Sequence, residues 1–220
     1  MNNSKKCIIY FLIFAMLLSV FTLFLKQRKT NKEINTISYQ ENTIKIVYPS
    51  TNYTKLNKRI KKIITNQIND FTKITLNKEK TTYYLIINYK SYSYKTIISY
   101  IFFTESYFLG AHPIHEIWTV NYDYKENKFI TIDNIINNNQ IILNNIANYT
   151  YQNLSQKKIF QNKTVLNMLK EGTKPRLNNY KHILFSKEGL IIYFDRYQIA
   201  PYYYGNYSIT IPYNILKSSH

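Results

Sequence analysis

Along these 220 residues, side chains able to bind a metal or move a proton come together only at His112-Pro113-Ile114-His115-Glu116. Two imidazoles and a carboxylate are the right groups for either task. Their spacing is wrong for both. In the H-E-x-x-H segment of zinc proteases two histidines one helical turn apart share a face. Here Pro113 works against a helix, and in an extended chain residues three apart point to opposite sides. The expectation is therefore a structural turn with His112 bonded to backbone, with no metal and no cofactor. Asp195-Arg196 reads as a local ion pair or as a pair that positions a loop. The sequence contains no G-x-S-x-G, Walker loop or cysteine nucleophile. Its acids are scattered, so spacing nominates no glycosidase pair. No catalytic residue is assigned.

Tyrosines offer more. Tyr197, Tyr202, Tyr203 and Tyr204 surround Pro201 and precede Gly205, a density that cannot all be buried at once. Exposed tyrosine rings supply contact area at low entropic cost, stacking on sugars or packing on a protein partner. With His112 they are the candidate ligand contacts. The competing reading is structural, since the chain holds 23 tyrosines.

The elements that must position these residues follow from periodicity. In 185–212, residues 190–194 are apolar throughout, as in a strand covered on both sides, after a Lys187-Glu188-Gly189 turn. Tyr207, Ile209 and Ile211 alternate with Ser208 and Thr210, as in a half-buried strand that Pro212 stops. Residues 53–71 carry Leu56, Ile60, Ile63, Ile64, Ile68 and Phe71 in one helical arc, with Lys55, Lys58, Arg59, Lys61 and Lys62 opposite. Residues 43–48, 83–89, 94–103 and 118–122 read as strands, with a turn at 90–93, and 129–132 as a short hairpin arm. Helices are expected at 140–151, after a cap at Asp133 or Asn134, and at 163–170, closed by Gly172 and Pro175.

The first 32 residues form a separate region. Residues 7–25 carry no charge, and 19 residues at about 1.5 Å each come to roughly 29 Å, close to the hydrocarbon thickness of a bilayer. Small residues of the A-x-A type are lacking at 19–25, and Cys7 precedes the apolar run, so an uncleaved single-pass anchor is expected, with the long part exported from the bacterial cytoplasmic membrane. Basic residues flank both ends of the run. Six of the 29 Lys and Arg fall in this region and none of the 12 acids, so the remainder carries +11. That charge suits polyanions, although the richness in Asn, Lys, Ile and Tyr is also what an A+T-rich genome produces. No nucleic acid partner is expected. The lone cysteine, Cys7, lies in the anchor region at 1–32, so the exported part forms no internal disulfide.

Three blocks carry a family resemblance. Tyr107-Phe108-Leu109-Gly110-Ala111-His112-Pro113 resembles a Y-x-G-G-A-H-P segment. Tyr122-Asp123 through Phe129-Ile130-Thr131-Ile132-Asp133-Asn134-Ile135 resembles N-F-D-x-x-T-G-K-x-L-T-L-D-D-L-F. Gly189-Leu190-Ile191-Ile192-Tyr193-Phe194, Tyr197-Gln198-Ile199-Ala200-Pro201-Tyr202 and Gly205 resemble G-L-x-F-Y-F-x-x-Y-E-I-A-P-Y-x-x-G. These are segments of the RsiV-like extracytoplasmic domain family, found in membrane-bound anti-sigma factors that sense lysozyme and in uncharacterised envelope proteins. Ile46-Val47-Tyr48-Pro49 and the helix after it look like its companion N-terminal region, also seen ahead of the catalytic domain of some peptidoglycan deacetylases. Leu109 departs from the first glycine, and Asn127 stands where the hairpin glycine would be, a position in left-handed backbone that asparagine tolerates. Six residues ahead of the anchor are too few for a sigma-binding segment, so no sigma factor partner is expected.

The expected architecture is α+β, an antiparallel sheet with packed helices behind one transmembrane helix. It divides into an anchor at 1–32, a linker at 33–42 and a domain at 43–220, with a strand-helix part at 43–80 and an RsiV-like part at 81–220. The expected function is a non-catalytic envelope module that binds a wall glycan (peptidoglycan) or a lysozyme-like muramidase. An enzyme of wall metabolism using His112, His115 or Asp195, or a purely structural component, are the alternatives.

Overall fold

The computed structural model describes residues 35–41, 43–76 and 83–217. Its first layer is helix α1 (Thr54–Thr75), whose apolar arc buries Leu56, Ile60, Ile64 and Phe71 while its lysines stay outside. Each such burial contributes about 2 kcal/mol. The arc lies on a sheet of six strands: β1 (Asn35–Glu41), β2 (Ile44–Ser50), β3 (Tyr84–Tyr94), β4 (Ile97–Tyr107), β5 (Ile114–Asp123) and β6 (Lys128–Phe129), paired in that order. On the α1 side Leu85, Ile87, Tyr100, Phe102, Val120 and Tyr122 complete one core. Trp118 stacks on Phe102 there, ring centres 3.6 Å apart.

The opposite face of this sheet meets a second one, built from β7 (His182–Phe185), β8 (Leu190–Phe194) and β9 (Tyr207–Ile211). Ile101, Ile117 and Leu184 are buried between the two. Polar groups finish the contact. The free backbone edge of β7 is satisfied from the first sheet, the Phe185 N–H donating to Ser99 Oγ at 3.0 Å and the Asn121 amide donating to the Ile183 carbonyl at 3.0 Å. Ser99 and Asn121 are both buried, so each would be costly unpaired. Beyond the second sheet lie α2 (Ile132–Ile136), α3 (Gln140–Ser155) and α4 (Lys163–Gly172), packed on Ile183, Leu190, Ile192, Phe194 and Ile211. The order of layers is helix, sheet, sheet, helices.

An α+β fold was expected, and the architecture departs from the expected one in identifiable ways. One antiparallel sheet was anticipated, but there are two, and β2 pairs with β3 in parallel because α1 carries the chain across between them. Residues 35–41, whose composition suggested a linker, pair along their whole length with β2. Ile37 and Tyr39 remain exposed on this edge strand, so its backbone pairing leaves little trace in apolar pattern. The β3–β4 turn is Lys95-Thr96 rather than 90–93, with Lys95 at φ 53°. The arm expected at 129–132 is two residues long. The helix expected at 140–151 is capped not by Asp133 or Asn134 but by Asn139, whose Oδ1 accepts the Ile141 N–H at 3.0 Å; Asp133 and Asn134 lie inside the additional short helix α2, where Asn134 Oδ1 accepts the Thr131 N–H at 2.8 Å. No helix among the described residues is long and apolar enough to cross a membrane; the span expected at 7–25 lies outside them.

Candidate functional site

The chemistry-bearing residues meet where the β8–β9 crossover of the second sheet reaches the β4–β5 end of the first. Glu105 on β4 lies directly opposite His115 on β5, their side chains 3.7 Å apart at Oε2 and Nδ1. Tyr84 on β3 donates its hydroxyl to Glu105 Oε1 at 2.8 Å and stacks on Tyr107. This hydrogen bond, with burial and the Glu105 charge, pushes the Tyr84 hydroxyl up to about 12. The connection between β4 and β5 turns at Leu109, which holds φ 62° where glycine would be unstrained. Asn127 adopts φ 52°, the left-handed geometry expected of it.

From the other side the crossover leaves β8 through a turn closed by the Gln198 N–H on the Asp195 carbonyl at 3.1 Å. Tyr197 sits in it at φ 66°, an uncommon backbone for an aromatic residue. Gln198 keeps it there. Its Oε1 accepts the Asp195 N–H, and its Nε2 donates to the carbonyls of Gly172 and Asn179 at 3.0 and 2.9 Å. Strain of this kind persists where neighbours over-determine it. Ile199 and Ala200 then bury, which explains Ile-Ala-Pro as architecture, and Tyr202–Tyr204 form a single 3₁₀ turn ended by Gly205 at φ 78°.

Tyr202 is the hub. Its hydroxyl donates to the Pro113 carbonyl, tying the crossover to the β4–β5 connection. The His112 ring centre lies 4.2 Å from its own, the His115 ring 6.0 Å and the Tyr197 ring 5.2 Å, while the Arg196 guanidinium carbon sits 4.4 Å from the ring centre. His112 Nδ1 lies 3.0 Å from the Pro113 carbonyl, the backbone contact anticipated for it. Burial lowers the His115 pKa; the Arg196 charge and His112 lower it further, against the pull of Glu105.

Of the candidate contacts, the fold gathers His112, Tyr197 and Tyr202, with Tyr197 59% exposed. Tyr203 and Tyr204 pair with each other, ring centres 4.2 Å apart, and Tyr203 is 76% exposed. The expected pairing of Asp195 with its neighbour Arg196 does not form. Asp195 is held by Lys181 Nζ at 2.8 Å and His182 Nε2 at 3.1 Å. Burial alone would raise its pKa, but these two partners outweigh it and lower it. Arg196, Glu105 and Tyr84 are the members that sequence reasoning missed. They are up to 112 positions apart, and strand register is the signal that would have joined them. Among the described residues, no group of three or more His, Cys, Asp or Glu is placed to hold a metal ion.

Residues 123–214 match the family model of DUF3298, a protein of unknown function. The matched residues supply the second sheet, its helices and the crossover with Arg196, Tyr197 and Tyr202, whereas His112, His115 and Glu105 precede them. Over 194 residues the chain is 30% identical to the peptidoglycan-N-acetylmuramic acid deacetylase PdaC of Bacillus subtilis (strain 168), covering 85% of this chain and 41% of that protein. The chain thus spans about two-fifths of the length of this relative. Its fold is similar to crystal structures of DUF3298 family proteins from Pseudomonas aeruginosa PAO1 (TM-score 0.64, 14% identity, 84% of this chain and 91% of that one) and Bacteroides fragilis NCTC 9343 (TM-score 0.60, 17% identity, 84% and 92%).

Proposed function

We propose that the chain is a non-catalytic binding module of the bacterial cell envelope, anchored through residues 7–25 with its main domain outside the cytoplasmic membrane, and that its ligand is a wall glycan. The observation that carries this reading is the Tyr202 hub: exposed Tyr197 beside it, His112 on its ring, and a guanidinium laid against the same ring. Aromatic faces flanked by polar hydrogen-bonding groups suit the alternating apolar and hydroxyl surfaces of a saccharide. Similarity to a protein named for peptidoglycan supports the choice of ligand class; that protein's deacetylase activity is not carried over to a chain spanning 41% of it. The blocks at 189–194 and 197–205 support placing the chain with the RsiV-like members of the family. Against an enzyme stands the engagement of its candidate groups: Asp195 with Lys181 and His182, and His112 with backbone.

The full chain in detergent is expected to sediment with purified, insoluble peptidoglycan. Tyr202→Ala and Tyr197→Ala should each weaken retention about tenfold, equivalent to ~1.4 kcal/mol. Retention on immobilised lysozyme with none on peptidoglycan would replace the glycan with a muramidase-like protein partner. Hydrolysis or deacetylation of the peptidoglycan that disappears in His112→Ala would replace binding with catalysis.

A further inference from the structure

Arg196 is a cation without a counterpart. It lies partly buried against Tyr202, yet none of its five N–H donors meets an acceptor among the described residues, and its Nε is fully enclosed. A partly buried guanidinium ordinarily pairs with a carboxylate or with backbone carbonyls, because leaving its donors unbonded costs free energy. The carboxylates that border the site are both engaged elsewhere. Asp195, adjacent in sequence, pairs with Lys181 and His182. Glu105, across the gap between the sheets, accepts the Tyr84 hydroxyl and faces His115. Lys181 thus has an acid partner and Arg196 does not, although they flank the same Asp195.

The surroundings of Arg196 are donors and rings. His112 and His115 lie on the same Tyr202 ring that carries the guanidinium, and Tyr197 extends the aromatic surface outward. Contact with the Tyr202 ring at 4.4 Å and enclosure of its Nε restrain the guanidinium before any ligand arrives, so less rotamer entropy remains to be lost on binding. What such a site lacks is a planar anion with two acceptor oxygens.

We infer that Arg196, backed by Tyr202 and flanked by His112 and His115, is a carboxylate-binding subsite, so that the ligand is an acidic saccharide rather than a neutral one. The inference rests on the glycan reading above and specifies the chemistry of its ligand. Charge-assisted, bidentate contacts between guanidinium and carboxylate are among the stronger hydrogen bonds available to a protein. Arg196 lies in the β8–β9 crossover, whereas His112 and His115 come from the β4–β5 connection and β5, so an acidic group bound here bridges the second sheet's crossover and the first sheet. Because the Arg196 charge bears on His115, an anion that neutralises it must also change the titration of that imidazole. The other charged or titratable groups around His115 are Glu105 from β4, His112 from the β4–β5 connection and Tyr202 from the crossover, with Tyr84 and Tyr107 behind Glu105.

Isothermal titration of the full chain in detergent with two soluble probes tests the inference. One is a tetrasaccharide of alternating N-acetylglucosamine and N-acetylmuramic acid with free lactyl carboxylates; the other is neutral tetra-N-acetylchitotetraose. The acidic probe is expected to bind at least about tenfold more tightly. Arg196→Gln should abolish that preference by weakening the acidic probe far more than the neutral one, and Arg196→Lys should restore part of it. Saturation with the acidic probe should raise the His115 pKa, read by NMR, and the neutral probe should not. Equal affinity for both probes overturns the carboxylate subsite and leaves the glycan reading standing. Binding of neither probe, nor of peptidoglycan, overturns both. A preference that survives in a folded Arg196→Gln variant overturns the role of Arg196.

Discussion

Arg196, in the crossover of the second sheet, bears on the electrostatics of His115 in the first. Burial and the guanidinium charge both lower the His115 pKa, so Arg196→Ala should raise it and Glu105→Gln should lower it further, each measurable as an NMR titration of the imidazole. A depressed histidine pKa means that the unfolded chain takes up the proton more readily. The stability involved is therefore present above the ordinary histidine value of about 6.5 and is lost as pH falls below it. A second residue-scale feature is Leu109, 54% exposed and held at φ 62°. Its side chain packs little, while left-handed backbone costs a non-glycine residue about 1–2 kcal/mol. After allowing for the extra freedom of glycine in the unfolded chain, Leu109→Gly should stabilise by a net ~0.5–1 kcal/mol, seen as a higher denaturation midpoint. A lower midpoint would show that the loop depends on the leucine side chain.

At the scale of elements, the crossover is held by its approach to the end of α4. A Cβ built on Gly172 would lie 2.1 Å from the Gln198 carbonyl oxygen and 2.8 Å from the Ile199 side chain. Backbone on the far side cannot yield as a flexible side chain would, so Gly172→Ala should destabilise by ~2–3 kcal/mol or more. Because Gln198 is the residue that keeps Tyr197 in its left-handed turn, the same substitution should weaken peptidoglycan retention even at temperatures where the chain stays folded. Thermal unfolding followed by circular dichroism, together with the sedimentation assay, checks both effects. Gly172 could be read from the sequence as the end of a helix, but its intimacy with residue 198 could not, since nothing local in the chain announces a neighbour 26 positions away. The β3–β4 hairpin makes the same point. Lys90 to Ser93 and Lys95-Thr96 are equally plausible turns by composition, and only packing against α1 on one face and β7 on the other selects the second.

For the whole molecule, the layered order makes the two sheets interdependent. Leu184 of β7 is fully buried against Ile101 and Ile117 of the first sheet. Leu184→Ala should cost ~3–5 kcal/mol and still leave a single unfolding transition, because each sheet covers the apolar face of the other. Trp118, the chain's one tryptophan, lies in the first sheet, so its fluorescence should change together with the circular dichroism of the whole. Separate midpoints would show that the sheets unfold independently. The matched segment 123–214 then stands as part of a larger unit, since its β7 edge is completed by Ser99 and Asn121 from outside it.

By itself the sequence determined the elements whose signal is local: α1 from its apolar arc, α3 from periodicity, α4 from periodicity and the glycine that ends it, the 185–212 hairpin from alternation and its glycines, and the α+β class from their order. It also determined which residue types were available for contact around Pro201. Only the tertiary structure decided which of them meet. A turn at 90–93 would have set Tyr84 opposite Ser99; the turn at Lys95-Thr96 sets it opposite Tyr107, beside Glu105 and one strand from His115. In a hairpin every pairing moves with the turn, so a displacement of a few residues rewrites the whole face. The second sheet then brings Arg196 and Tyr202 over that face, an encounter fixed by the burial of Leu184, Ile101 and Ile117 between layers. Periodicity reports what lies within a turn or two of a residue, and the site is made of residues that share no such neighbourhood.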